Sequence, residues 1–170
     1  MKKQPNPWEL GATLYMPATR KDIAEVVLEG KIPGLRSLVV CLEDAVSEHD
    51  IPLAIQNLSL FLKQLRHARA VNDDEKCPLV FIRPRHTDMG GWLTTNLDLS
   101  AVDGFVLPKF TLSTLPVWWD IMAGTSLMMM PTLETEEVYD VIKMQALANE
   151  LSSHDCRDRI IACLLYTSPS

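Results

Sequence analysis

The chain is predicted to be an α/β protein built on a parallel sheet, and three observations carry the prediction. Short apolar runs recur and each ends in ionisable residues. Val39-Val40-Cys41-Leu42 meets Glu43-Asp44, and Leu79-Val80-Phe81-Ile82 meets Arg83-Pro84-Arg85-His86. Gly104-Phe105-Val106-Leu107 meets Pro108-Lys109, and Leu127-Met128-Met129-Met130 leads through Pro131-Thr132-Leu133 to Glu134. The runs are continuous rather than alternating, as suits strands buried on both faces. Helical patterns lie between them, the alternation that builds a parallel sheet. One charge after a strand is chance, but repetition down the chain points to a shared rim. In an α/β barrel the C-terminal rim carries the chemistry.

In chain order, residues 1–10 are a polar, proline-rich lead-in whose Trp8 is expected to pack over a barrel end. Ala12–Met16 is the first strand, stopped by Pro17. Thr19 is placed as the cap of a helix with Ile23, Val26 and Val27 on one face, ended by Gly30. After the second strand, Pro52 suits a helix first turn. Ile51, Ile55, Leu58, Phe61, Leu62 and Leu65 recur at helical spacing to about Arg69. Residues 72–76 form a charged loop. After the third strand, Thr87-Asp88-Met89-Gly90-Gly91 is read as a flexible loop able to close over a ligand, and Leu97, Leu99 and Val102 as a short helix or turn. Phe105–Leu107 is the fourth strand. Leu112–Met122 is helical, with Trp118-Trp119 covering the barrel wall, and Leu127–Met130 is the fifth strand. Its methionines are core filler, because no histidine accompanies them as a copper site would require. Thr135 is expected to cap a helix with Val138, Val141, Ile142 and Leu147 inward. Arg159-Ile160-Ile161-Ala162 begins a sixth strand.

At 170 residues with 47% hydrophobic and 22% charged content, the chain is sized for one globular domain. A net charge of -6 with no basic stripe argues against nucleic acid as a partner. No signal core or membrane-length stretch is present, so a cytoplasmic protein with no membrane partner is expected. The four cysteines show neither C-x-x-C nor zinc spacing. Cys41 and Cys163 are read as buried thiols, and His154-Asp155-Cys156 as a solvated loop.

Six strand–helix units compare with the eight of a full barrel, which takes roughly 200–250 residues or more. The expectation is an incomplete TIM (β/α)8 barrel spanning about the first six βα units. An open doubly wound sheet is the alternative, but Pro17-Ala18-Thr19-Arg20 after the first strand is no glycine fingerprint. Residues 163–170 break the pattern, and this tail, Cys163–Ser170, resembles a translated sequencing adapter. Residues 11–162 are therefore taken as the partial barrel, 163–170 as a non-native tail, and the chain as a fragment.

GATLYMPATR at Gly11–Arg20, LEDAV at Leu42–Val46, FIRPR at Phe81–Arg85, VLPK at Val106–Lys109 and Leu133-Glu134 resemble, in order and spacing, the citrate lyase beta-subunit-like family. That family belongs to the aldolase/citrate lyase superfamily of TIM-barrel carbon–carbon lyases. The resemblance implies a retro-aldol or retro-Claisen lyase using Mg2+, with Mn2+ as substitute. Its substrate would be a hydroxy-acyl-CoA or related 2-oxo or hydroxy acid, cleaved through a metal-stabilised enolate. It implies Glu134 as a metal ligand, Arg83 as the catalytic grip on the substrate carboxylate and enolate oxygen, and Glu43 and Asp44 as the acidic pair near the metal. The two neighbouring acids point to opposite sides, and Glu43 is favoured as the inward one. The family's second metal ligand is an aspartate after the sixth strand, where adapter-like residues stand here. Gly11-Ala12 replaces the family's arginine-serine and Pro84-Arg85 its smaller residues, so the substrate and the use of CoA are expected to differ. The full-length family member is expected to be a homo-oligomer.

Structural readings stand beside these. Glu43, Asp44 and Glu134 could cap the helices that follow them, and Arg83 could be simply the partner of Glu43. Arg20, Arg85 and Lys109 are candidate substrate-binding residues, with His86 a loop neighbour. Lys109 is also the candidate imine lysine of a Schiff-base aldolase. A catalytically degenerate, lyase-like binding protein is the non-enzymatic alternative.

Overall fold

The computed structural model describes residues 5–71 and 77–166. Six strands lie side by side in chain order: β1 (Thr13–Pro17), β2 (Ser37–Cys41), β3 (Leu79–Arg83), β4 (Gly104–Leu107), β5 (Met128–Leu133) and β6 (Leu164–Leu165). All neighbouring pairs are parallel. Helices α1 (Ile23–Leu28), α2 (Ile51–Val71), α3 (Thr87–Asn96), α4 (Leu115–Met122) and α5 (Val141–Ser153) occupy the crossovers. A doubly wound sheet reverses its strand order partway; this sheet never does, and it forms an open, incomplete barrel.

The two-residue alternation of the strands sorts their side chains into two cores. Leu38, Val40, Val80, Ile82, Phe105, Leu107 and Met129 pack beneath the helices. Val39, Phe81, Val106, Met128 and Met130 form a second cluster on the opposite, inner face. The helices bury the stripes their spacing predicts: Ala54, Leu58, Phe61, Leu62 and Leu65 on α2, and Ile23, Val26 and Val27 on α1. Gly30 follows α1 at φ +69°, a left-handed turn that residues with a Cβ resist. At the N-terminal end of the sheet, Arg69 at the end of α2 is 2.8 Å from Asp103 and 3.0 Å from the Pro78 carbonyl. Asp103 in turn accepts the Val80 N–H at 2.7 Å. This buried charge pair fastens α2 to the starts of β3 and β4.

Several expectations are corrected. The capping position of α1 is Asp22, not Thr19. The segment from Thr87 is not a flexible loop but the first turns of α3, capped by the His86 imidazole accepting from Met89 N at 3.3 Å. Its two glycines disguise a helix, and Gly90 is there for packing: a Cβ would lie 2.6 Å from the Trp118 ring. Trp8 is exposed rather than packed on a barrel end. Past Thr135 a short 3-10 turn, Glu136–Tyr139, precedes α5, whose cap is Asp140 accepting from Ile142 N and Lys143 N. That turn rotates the helix, so Leu147 is buried while Val141 and Ile142, expected inward, are each 81% exposed. Cys163 is exposed, whereas Cys156, expected in a solvated loop, is buried.

The sixth strand begins with an isolated bridge, Ile160 to Met129, and the Arg159 guanidinium before it donates to the carbonyls of Leu127 and Met122. Its ladder is Leu164–Leu165 against Thr132 and Leu133, inside the segment read as a foreign tail. Residues 72–76 and 167–170 lie outside the described residues.

Candidate active site

Strand parity builds the site. Cys41, Phe81 and Thr132 have the parity of the inner face, and Glu43, Arg83 and Glu134 each stand two residues further on, at the C-terminal rim. All three side chains meet. The Arg83 side chain is 4% exposed, and its Nη2 contacts Glu43 Oε2 directly. The same nitrogen donates to Glu134 at 3.0 and 3.1 Å and lies 3.5 Å from Asp44 Oδ2. Glu43 is buried, while the Asp44 side chain is 78% exposed, so the inward acid of the doublet is Glu43.

Three carboxylates surround the Arg83 guanidinium, and Lys109 adds a second positive charge near Glu43. Burial pushes the Glu43 carboxyl above the usual range; Arg83 opposes the rise, and the neighbouring Asp44 and Glu134 add to it. Burial works against the Arg83 charge, but Glu43 and Glu134 outweigh it and strengthen its hold on the proton.

The other candidates divide by what they touch. Lys109 holds φ +48°, a left-handed conformation uncommon outside glycine, and its backbone N–H donates to Glu134 Oε1 at 2.8 Å. Lys109 thus aims Glu134 through its main chain, while its residue surface is exposed. Arg85 donates from Nη1 to the carbonyls of Val46 at 2.6 Å and of Leu42 and Glu43 at 3.3 Å each. It ties down the loop that carries the acidic doublet. Arg20 forms a two-pronged pair with Asp22 at 2.8 and 2.6 Å, and Lys31 joins Asp22 at 3.1 Å. Those hydrogen bonds hold the Asp22 carboxyl far below its usual range. Arg83, Glu43, Asp44 and Glu134 therefore converge, Lys109 and Arg85 brace them, and Arg20 is committed to the start of α1.

Two inward residues escaped the reading of the sequence: Tyr15 on β1 and Thr132 on β5. Their hydroxyls are buried without hydrogen-bond partners, as is Arg83 Nε. Buried polar groups are rarely left so. The signal was present, since each is a polar side chain at inner-face parity among mostly apolar neighbours.

Magnesium chemistry fits this donor set. Glu134 and Glu43 offer hard carboxylate oxygens, and Mg2+ needs only one or two of these, completing its shell with water and substrate. Among the described residues no three His, Cys, Asp or Glu side chains form a ready cage, and the carboxylates lean on Arg83 instead. Among them, too, no helix is long and apolar enough to cross a membrane.

No curated protein matches the chain. Among solved structures it is similar to the citrate lyase beta subunit from Mycobacterium tuberculosis complexed with oxaloacetate and magnesium, with TM-score 0.55 and 16% identity. That match covers 90% of this chain and 55% of the other. It is similar also to the protein CitE from Mycobacterium tuberculosis in complex with magnesium, acetoacetate and coenzyme A, with TM-score 0.56 and 16% identity. Here the match covers 90% of this chain and 47% of the other. The chain thus spans about half the length of the structures it matches. Those likenesses give the fold, an incomplete barrel of this kind. Residues 4–165, nearly the whole sequence, match the family described as C–C bond lyase of the TIM-barrel fold, and the chain belongs to that family.

Proposed function

We propose that this chain carries the substrate grip of a metal-dependent carbon–carbon lyase that cleaves a short 2-oxo or hydroxy acid, free or as its CoA thioester. The observation that supports this most is Arg83, a buried guanidinium at the C-terminal rim ringed by Glu43, Glu134 and Asp44. A planar guanidinium can grip a carboxylate through two parallel bonds, and it stays charged in a dry site. It is also placed to balance the negative charge that develops when a carbon–carbon bond breaks and its electron pair moves onto an enolate oxygen.

Glu134, aimed by the Lys109 N–H, is the residue that would hold Mg2+; when bound, the ion supplies Lewis acidity to the substrate oxygens. Glu43 suits the proton work. Its raised pKa lets the carboxylate take the proton of a substrate hydroxyl as the carbonyl forms, and the resulting acid can return it to the enolate carbon. The imine alternative finds less support, because Lys109 is exposed and bears on the site through its backbone N–H.

The test is turnover of a panel of short 2-oxo and hydroxy acids, free and as CoA thioesters, with Mg2+ present and after chelation. Cleavage lost on chelation and in Arg83→Lys is expected. Cleavage that survives chelation but is trapped by borohydride at Lys109 would replace this reading with the imine one.

A further inference from the structure

We propose that the Tyr15 hydroxyl is a second donor to the oxyanion that Arg83 grips, so that a bound carboxylate is held from within the barrel as well as from its rim. Tyr15 lies on β1 in register with Val39 of β2, a member of the inner cluster, and packs against that cluster. Its hydroxyl oxygen is buried without a hydrogen-bond partner, and so is Nε of Arg83. The phenol lies beside the Arg83 guanidinium, close enough to feel its charge and to accept a weak, poorly aligned hydrogen bond from it.

A guanidinium has donors only. Arg83 could at most donate to the phenol oxygen, so the phenol proton is left without an acceptor. Glu43 Oε2 is taken up by Arg83 Nη2, so the buried Tyr15 hydroxyl and Arg83 Nε call for an oxygen that arrives with the ligand. An anionic oxygen fits better than a neutral one, because one of the two donors is charged. Burial, with Tyr166 nearby, holds the phenol proton more tightly than usual, so the donor persists well above neutral pH.

The identity of the ligand as an oxo acid rests on the lyase reading; the donor role of Tyr15 does not, and its test needs no turnover. Oxalate, a planar dianion shaped like the enolate of a 2-oxo acid, is the probe. Its affinity is measured by calorimetry with Mg2+ present for the wild-type chain, Tyr15→Phe and Arg83→Lys, alongside the melting temperature of each. Losing a hydrogen bond to an anion is expected to weaken oxalate about tenfold to a hundredfold in Tyr15→Phe. Because the hydroxyl has no partner in the empty site, melting should be unchanged or higher.

Equal oxalate affinity in Tyr15→Phe and wild type overturns the proposal, as does a wild-type chain that binds no oxalate. A Tyr15→Phe protein that loses affinity and melting temperature together overturns it as well, since the hydroxyl would then be a structural support. Tyr15-dependent oxalate binding without cleavage of any acid would sink the lyase reading and leave this donor standing.

Discussion

Arg83 cannot be exchanged for lysine without consequence. The compact ammonium cannot span Glu43 and Glu134 while also offering a planar edge to substrate. Arg83→Lys is expected to lower kcat/KM about 10²–10³-fold, the scale seen when a preorganised donor is lost, as steady-state kinetics would show. Glu43 makes a pH prediction whose sign is fixed by its environment. Its pKa is raised in the folded chain, so its stabilising contribution is present below the unfolded value of about 4.3 and is lost as pH rises through the folded one. Urea unfolding of wild type and Glu43→Gln between pH 4 and 8 should show the variant gaining relative stability as pH rises; a constant difference would refute the raised pKa. At this scale the sequence was partly legible. Strand alternation shows that only one of Glu43 and Asp44 can point inward, whereas Arg83 and Glu134 were picked out by the family resemblance alone. Arg85 and Lys109 were not legible as braces, because carbonyl partners and a left-handed φ depend on loop paths that carry no periodic signal.

Between single residues and the whole lies the packing of elements, and α3 against α4 is its clearest case. Gly90 lets the Trp118 ring approach the α3 backbone, and a methyl group there would sit 2.6 Å from the ring. Gly90→Ala is expected to destabilise the fold by about 1–3 kcal/mol despite the better helix propensity of alanine. Gly91, whose nearest contact would be 3.9 Å from Ile121, should tolerate the same change, and parallel urea titrations would compare the two. The same glycines explain why α3 escaped the sequence reading: a weak helix former is used where close packing demands it, so propensity and pattern disagree. α2 was legible because its apolar residues repeat every third or fourth position without interruption. α5 was legible as a helix but not in its rotation, since the turn at Glu136–Tyr139 resets its phase.

Across the molecule, the barrel's strand order, with a sixth strand beginning near Ile160, was legible from repeated apolar runs, but the ladder of that strand was not. Leu164-Leu165 is too short for a pattern, and its pairing with Thr132 and Leu133 is purely tertiary. Among the described residues the outer edges of β1 and β6 pair with nothing in the sheet. Open edges of this kind template association between copies. With Val141, Ile142, Tyr139 and Leu165 also exposed, the chain is expected to self-associate in a concentration-dependent way by sedimentation velocity. Val141→Lys with Ile142→Lys should reduce that association while leaving the melting temperature within a degree or two, because surface changes move stability by roughly 0.5 kcal/mol or less. A monodisperse wild-type monomer at all concentrations would contradict this.

The unbroken order from β1 to β6 also bears on how the chain acquires its shape. Every strand pairs only with the one before and after it, so no pairing waits for a distant segment to be synthesised. Each unit can dock on its predecessor as it leaves the ribosome, although parallel pairings such as Thr13 with Ser37 and Ser37 with Leu79 join residues far apart in sequence and form slowly. The longest excursion is the passage through α2 between β2 and β3, whose register sets Ser37 beside Leu79. That junction, the same one that brings Glu43 to Arg83, is where the kinetic barrier to folding should concentrate.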